Sequence, residues 1–196
     1  MIVGGVLLAC LGWAFTFGLS WGNFWLKIGV TVVTVCAYSL VWRRPRVTFR
    51  WPSVGAGLLS AAALYGVFFA GNALAPLVVG GARGQVSSIY GLGTGSWWPG
   101  VFFLLLCVTG PGEEIFWRGF LQDRLEDRLG RAQGFAVATL IYGGVHVFSG
   151  NLMLVLAALV AGAWWGVYYA WKKDLLALMV SHSVWSVVIF AVLPIR

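Results

Sequence analysis

At 196 residues, 60% of them hydrophobic and 10% charged, with a mean hydropathy of +0.88, the chain cannot be a soluble globular domain. Its length accommodates about seven spans of roughly 20 residues and leaves no room for a separate soluble domain. A net charge of +7 does not point to nucleic acid, because the basic residues fall between apolar runs and not on one face. The expected fold is all-α, a polytopic transmembrane helix bundle of about seven spans, forming one integral-membrane domain over residues 1–196.

The first span covers about Ile2 to Leu19. Leu7-Leu8-Ala9-Cys10 has the outline of a lipoprotein cleavage box, but no Lys or Arg precedes it, so the segment reads as a retained span. A turn at Ser20 to Asn23 leads into a second span ending near Trp42, followed by the basic loop Arg43-Arg44-Pro45-Arg46 and Arg50. The third span covers about Val54 to Val79, and the Gly/Ser-rich segment Gly80 to Ser96 is expected to be the longest loop. The fourth apolar run begins near Trp98 and contains Pro111, which is expected to kink or restart its helix. Leu121, Leu125 and Leu129 then recur among charged residues, the pattern of an interfacial amphipathic helix stopped by Gly130. The fifth span covers about Ala132 to Phe148, the sixth about Leu152 to Trp171, and the seventh, capped by Asp174, about Leu175 to Leu193. In the sixth, Ala158, Gly162, Gly166 and Ala170 form a small-residue ridge suited to close helix packing. Cys10, Cys36 and Cys107 lie in apolar runs without metal-type spacing and read as small core residues.

Alternating loops place Arg43, Arg44, Arg46, Arg50, Arg124, Arg128, Arg131, Lys172 and Lys173 on one side of the membrane. The other side receives Arg83, Arg196 and a snorkelling Lys27. By the positive-inside rule the N-terminus is cytoplasmic and the C-terminus outside. Trp21, Trp25, Trp97 and Trp98 then fall at the outer interface and Trp42, Trp51 and Trp171 at the inner one, as an aromatic belt requires.

Against this apolar background stands Gly112-Glu113-Glu114-Ile115-Phe116-Trp117-Arg118-Gly119. An ionisable group at membrane depth costs about 2.5–3.5 kcal/mol to insert, so it marks a functional site by default. On a helix Glu114 and Arg118 share a face and form a structural ion pair, whereas Glu113 points roughly 100° away without a partner in the motif. The spans also carry the chain's two histidines, His146 with Tyr142 on its face and His182 with Ser186 on its face. At 1.5 Å per residue, Glu113 lies about 15 Å from Asp123 and His182 about 12 Å from Asp174, but His146 lies about 22 Å from Arg131. A bend at Gly143-Gly144, a tilt, or a different span boundary would each account for that excess.

A carboxylate in a low-dielectric cavity is a credible general base for water, and imidazoles and a hydroxyl can orient that water and donate to an oxyanion. The same Glu/His/His set could instead hold zinc, although no His-Glu-x-x-His is present. The reading carries no cofactor, with zinc as the unfavoured alternative.

These residues resemble a known family, the CAAX-processing and bacteriocin-processing intramembrane proteases, which include the eukaryotic prenyl-protein endopeptidase. The family pattern Glu-Glu-x-x-x-Arg is complete at Glu113 to Arg118; Phe-x-x-x-His is matched at Tyr142 to His146, with tyrosine for phenylalanine; His-x-x-x-Asn is matched at His182 to Ser186, with serine for asparagine. The resemblance spans about Glu113 to Ser186, within a motif-bearing half at about 98–196. It implies that Glu113 activates water with His146, that His182 and Ser186 polarise the carbonyl, that Tyr142 forms part of the wall, and that Glu114 and Arg118 are structural. The family has been classed with the metalloproteases, but the resemblance favours a metal-independent glutamate mechanism. The implied partners are a membrane-bound protein or peptide substrate, cut near its C-terminus, and the lipid bilayer, in the cytoplasmic membrane of a bacterium. A non-proteolytic membrane scaffold or bacteriocin-immunity protein, keeping the polar cluster for stability, is the alternative.

Overall fold

The computed structural model describes residues 1–195, which contain eight helices and no strand. They are α1 (Ile2–Gly18), α2 (Phe24–Trp42), α3 (Trp51–Leu74, extended by a 3-10 turn Ala75–Leu77), α4 (Ala82–Gly91), α5 (Trp98–Leu129), α6 (Arg131–Gly144, extended by the 3-10 turn Val145–Ser149), α7 (Leu152–Lys172) and α8 (Leu175–Val192). Five of these, α2, α3 with its extension, α5, α7 and α8, are long and apolar enough to cross a bilayer. With the shorter α1 and α6 they make up the seven expected spans of a multi-pass membrane protein. Side chains such as Val3, Leu7, Leu59 and Phe69 face outward, where lipid is their only suitable solvent.

Three expectations about the helices are corrected. The segment Gly80 to Ser96 is not simply a loop, because Ala82–Gly91 forms α4. Asn151 holds that helix by donating to the Gln85 carbonyl (2.8 Å) and to the Ser88 hydroxyl (3.0 Å), and the Gln85 side chain accepts from the Met153 N–H (3.2 Å). Second, the stretch after the Glu-Glu motif is no separate interfacial helix but the last turns of α5; Leu121 and Leu125 are buried and only Leu129 is exposed. Third, Pro111 does not restart α5. The π-helical turn Leu105–Thr109 immediately before it supplies the wider spacing that a residue without an N–H needs, and Thr109 and Gly110 keep helical dihedrals. A second π-helical stretch, Ile115–Gln122, follows the motif. Glu113 thus sits inside a continuous helix and not in a free first turn.

The depth of His146 resolves in the antiparallel pairing of α5 with α6. Gly134 lies so close to Leu125 and Glu126 that a Cβ there would strike their backbone, while the rings of Tyr142 and Trp117 are 5.1 Å apart. In that register α6 begins well beyond Asp123, so its first residues extend past the level from which the depth of Glu113 is measured. The sharp reversal between the two helices falls on Gly130, whose φ of +84° suits glycine.

Helix α7 runs parallel to α5, and its small ridge does what such ridges allow. Gly162 and Gly166 bring α7 against Tyr142 and Phe135 of α6, and their carbonyls accept from Arg118 (3.2 Å) and Gln122 (2.8 Å). One end of the bundle collects most of the remaining charges. Arg43 pairs with Asp123 and Asp127, Lys173 with Asp123 (2.8 Å) and Glu126 (2.7 Å), and Arg50 with Asp174 (3.2 Å), which also caps α8 at the Ala177 N–H. Lys27, near the opposite end, does not snorkel. It is buried and donates to the Leu19 carbonyl at 2.5 Å, closing the last turn of α1. The cysteines are free; Cys10 and Cys36 are half-buried and Cys107 is exposed, so the core reading fails for the last.

Candidate active site

Glu113, Tyr142, His146, His182 and Ser186 all line one cavity of about 130 Å³, enclosed by α1, α2, α4, α5, α6, α7 and α8. A water needs about 10–15 Å³ of such space together with polar partners, so there is room for one beside the Glu113 carboxylate. The carboxylates of the motif part company as their helical spacing dictates. Glu113 faces the cavity, where the Tyr142 hydroxyl donates to its Oε2 at 3.3 Å. Glu114 turns into the protein and is fully buried, its Oε1 accepting from Arg118 (2.9 Å) and lying 2.7 Å from His182 Nδ1. The guanidinium of Arg118 sits over the rings of Tyr142 and Trp165, at 4.8 and 5.4 Å.

The two histidines differ in what they leave free. In His146, Nδ1 lies 2.8 Å from the Tyr142 carbonyl oxygen, which can only accept, so the hydrogen is on Nδ1. Its Nε2 then accepts from the indole N–H of Trp13 at 3.2 Å. Both ring nitrogens are thereby committed. In His182, Nδ1 donates to the Glu114 carboxylate, and the ring stacks on Trp165 with centroids 4.1 Å apart and planes 19° from parallel. Its Nε2, on the other edge of the ring, is the nitrogen left for the cavity. Trp165 is in turn fixed by donating to the Ser181 hydroxyl at 3.0 Å.

Ser186 lies on the cavity wall one helical turn after His182, on the same face. Three contributors to this arrangement are not visible in the motif pattern: Trp13, Trp165, and the bond from Glu114 to His182. Trp13 is 133 residues from its partner and stands in an ordinary apolar span, so no signal in the chain marks it. Trp165, next to the small ridge, faces His182 as a consequence of how that ridge docks.

Residues 94–188 match the family model of the type II CAAX prenyl endopeptidase Rce1-like proteins. The chain belongs to the CAAX protease family. The matched residues include all three motifs and begin just before α5, so the four preceding helices, Trp13 among them, lie outside the match. No curated protein and no solved structure matches the chain. As a member of the CAAX protease family the chain is an endopeptidase in the broad sense, a protease built into a membrane-spanning bundle.

A second cavity, of about 340 Å³ and almost wholly apolar, lies between α3, α4, α7 and α8. It adjoins the first, sharing Ile89, Leu154, Ala157, Trp185 and Phe190 as common walls.

Proposed function

We propose that the chain is an intramembrane endopeptidase of glutamic type that hydrolyses a peptide bond near the C-terminus of a membrane-associated polypeptide. Glu113 is the general base. With Oε2 oriented by the Tyr142 hydroxyl, its other oxygen takes a proton from a cavity water as that water attacks the scissile carbonyl carbon. The carbonyl oxygen becomes an oxyanion that accepts hydrogen bonds from His182 Nε2 and the Ser186 hydroxyl. The Glu114 carboxylate on Nδ1 fixes the ring so that its opposite edge, Nε2, is directed at that oxyanion. Collapse of the tetrahedral intermediate breaks the C–N bond, and the proton held on Glu113 passes to the departing amine.

In this scheme Glu114 is more than half of an ion pair. It holds Arg118 and His182 on one oxygen and so fixes the direction of the imidazole. His146 is a neutral wall residue; with both nitrogens engaged it is not poised to share proton transfer with Glu113. For the same reason it is a poor zinc ligand, since its one lone pair is directed at Trp13. Among the described residues no three His, Cys, Asp or Glu side chains are grouped as a metal would require, and the scheme routes no step through a metal.

The observation that carries the reading is the separation of roles within the Glu-Glu pair: one carboxylate faces the cavity, the other anchors the histidine opposite. Glu113→Gln keeps the shape and removes the base, and should lower cleavage of a co-expressed substrate by about 10²–10⁴-fold with an unchanged melting temperature in detergent. Undiminished cleavage would assign the polar cluster to a stabilising role, as in a scaffold or immunity protein.

A further inference from the structure

The wall of the polar cavity is drawn from one half of the bundle. Each spanning helix around it contributes from the part remote from the ion-pair belt: Trp13 late in α1, Trp25 early in α2, Thr109 before Glu113 in α5, His146 at the end of α6, Ala157 early in α7, Ser186 late in α8. In the other direction, between Glu113 and Asp123, the interior is closed. Phe116, Trp117, Phe120, Leu121 and Gln122 are each no more than 2% exposed, and Trp165 and Leu178 beside them are 0% exposed. That plug is about 15 Å thick at 1.5 Å per residue. Across the far end of the cavity lie the ten-residue helix α4 and the turn that follows it, whose Ile89 and Leu92 respectively form part of the wall, with Leu92 41% exposed.

The belt end also holds Arg44, Arg46, Arg128, Arg131 and Lys172, beyond the cations already paired there, and basic loops lie on the cytoplasmic side. We infer that the catalytic cavity opens to the extracytoplasmic side. Its substrate is a membrane-anchored polypeptide whose scissile bond emerges at the extracytoplasmic end of an apolar segment, and not a lipidated tail lying on the cytoplasmic face. The inference of a substrate rests on the endopeptidase reading; the direction of the opening does not. The adjoining apolar cavity, reached past Ala157 and Phe190, gives the apolar residues flanking that bond a place next to Glu113.

Two measurements test this separately. In a background in which Cys10, Cys36 and Cys107 are replaced by serine, Ser87→Cys reports from α4, Leu92→Cys from the turn that follows it, and Gln133→Cys from the exposed start of α6. A membrane-impermeant maleimide added to intact cells should label the cysteines at 87 and 92 at least tenfold faster than Gln133→Cys, and inverted vesicles should reverse the order. Labelling of Gln133→Cys alone in intact cells overturns the inference. Two model substrates then carry one apolar segment with the same flanking peptide, at its outer end in one and at its cytoplasmic end in the other. Only the first should be cut, and only with Glu113 intact. Cleavage of the second, lost in Glu113→Gln, would overturn the sidedness and leave the protease standing; cleavage of either one, unaffected by Glu113→Gln, would overturn the protease, and the labelling order alone would then decide the direction of the opening.

Discussion

His146 makes two hydrogen bonds that a buried imidazole needs, one to its own helix and one to Trp13 of α1. The second ties the motif-bearing half of the chain to a helix outside the family match, and it fixes the tautomer by consuming the Nε2 lone pair. Trp13→Phe keeps most of the ring packing against Trp117 and deletes the donor alone. Leaving a buried acceptor unpaired costs about 1–3 kcal/mol, so thermal unfolding in detergent should shift downward by the equivalent amount. Cleavage should fall less than in Glu113→Gln, because Trp13 touches the wall and not the base. The polar members of this site could be read from the chain because carboxylates and imidazoles in apolar spans stand out energetically. An indole could not: tryptophan is at home in such a span, and its N–H acquires meaning only when α1 docks.

At the scale of an element, α5 is the one that does most of the positioning, and it does so through departures from a regular helix. The π-helical turn before Pro111 and the longer π-helical stretch after Glu114 set the rotation at which Glu113 faces the cavity and Glu114 faces His182. Gly110 then lets α8 approach closely. A Cβ on Gly110 would lie 2.8 Å from the backbone N and Cα of Ser183, the neighbour of His182, and backbone cannot rotate away as a side chain can. Gly110→Ala should therefore separate α5 from α8, costing about 1–3 kcal/mol of overpacking and lowering cleavage by loosening His182 from Glu114. Gly66→Ala on α3, where nothing lies within 4 Å, is the control and should leave both measurements unchanged. An apolar span carrying the motif was legible in its residues, and so was the possibility of a distortion at Pro111, but not that the same helix runs on unbroken to Leu129. The form of that distortion was not, since a kink and a π-turn both relieve the same clash. Helix α4 escaped because ten residues with weak periodicity are stabilised by Asn151 and Gln85, contacts that exist only once α7 is in place.

The whole molecule is polarised along the bundle axis, and the ion-pair belt is where that polarity takes structural form. Asp123 alone receives Arg43 from the α2–α3 connection and Lys173 from the α7–α8 connection, joining three parts of the chain at one carboxylate. Each such partly exposed pair contributes about 0.2–1 kcal/mol, so Asp123→Asn should lower stability by roughly 1 kcal/mol, and the loss should shrink as salt screens the belt. The alternation of basic and neutral loops was readable before any helix was placed, because charge distribution between loops depends only on where the spans begin and end. What it could not show is that the cavity avoids the basic end. With an odd number of spans, a reporter active only in the cytoplasm should work when fused ahead of Met1 and remain silent when fused to the C-terminus. Replacing Arg43, Arg44 and Arg46 by glutamine removes the densest part of the bias and should produce molecules in the opposite orientation, detectable as activity of the C-terminal reporter. Because Arg43 also holds Asp123 and Asp127, the triple variant is compared with Arg44→Gln/Arg46→Gln, which leaves both of those pairs in place. If the double variant alone shifts the reporters, loop charge and not belt stability sets the orientation.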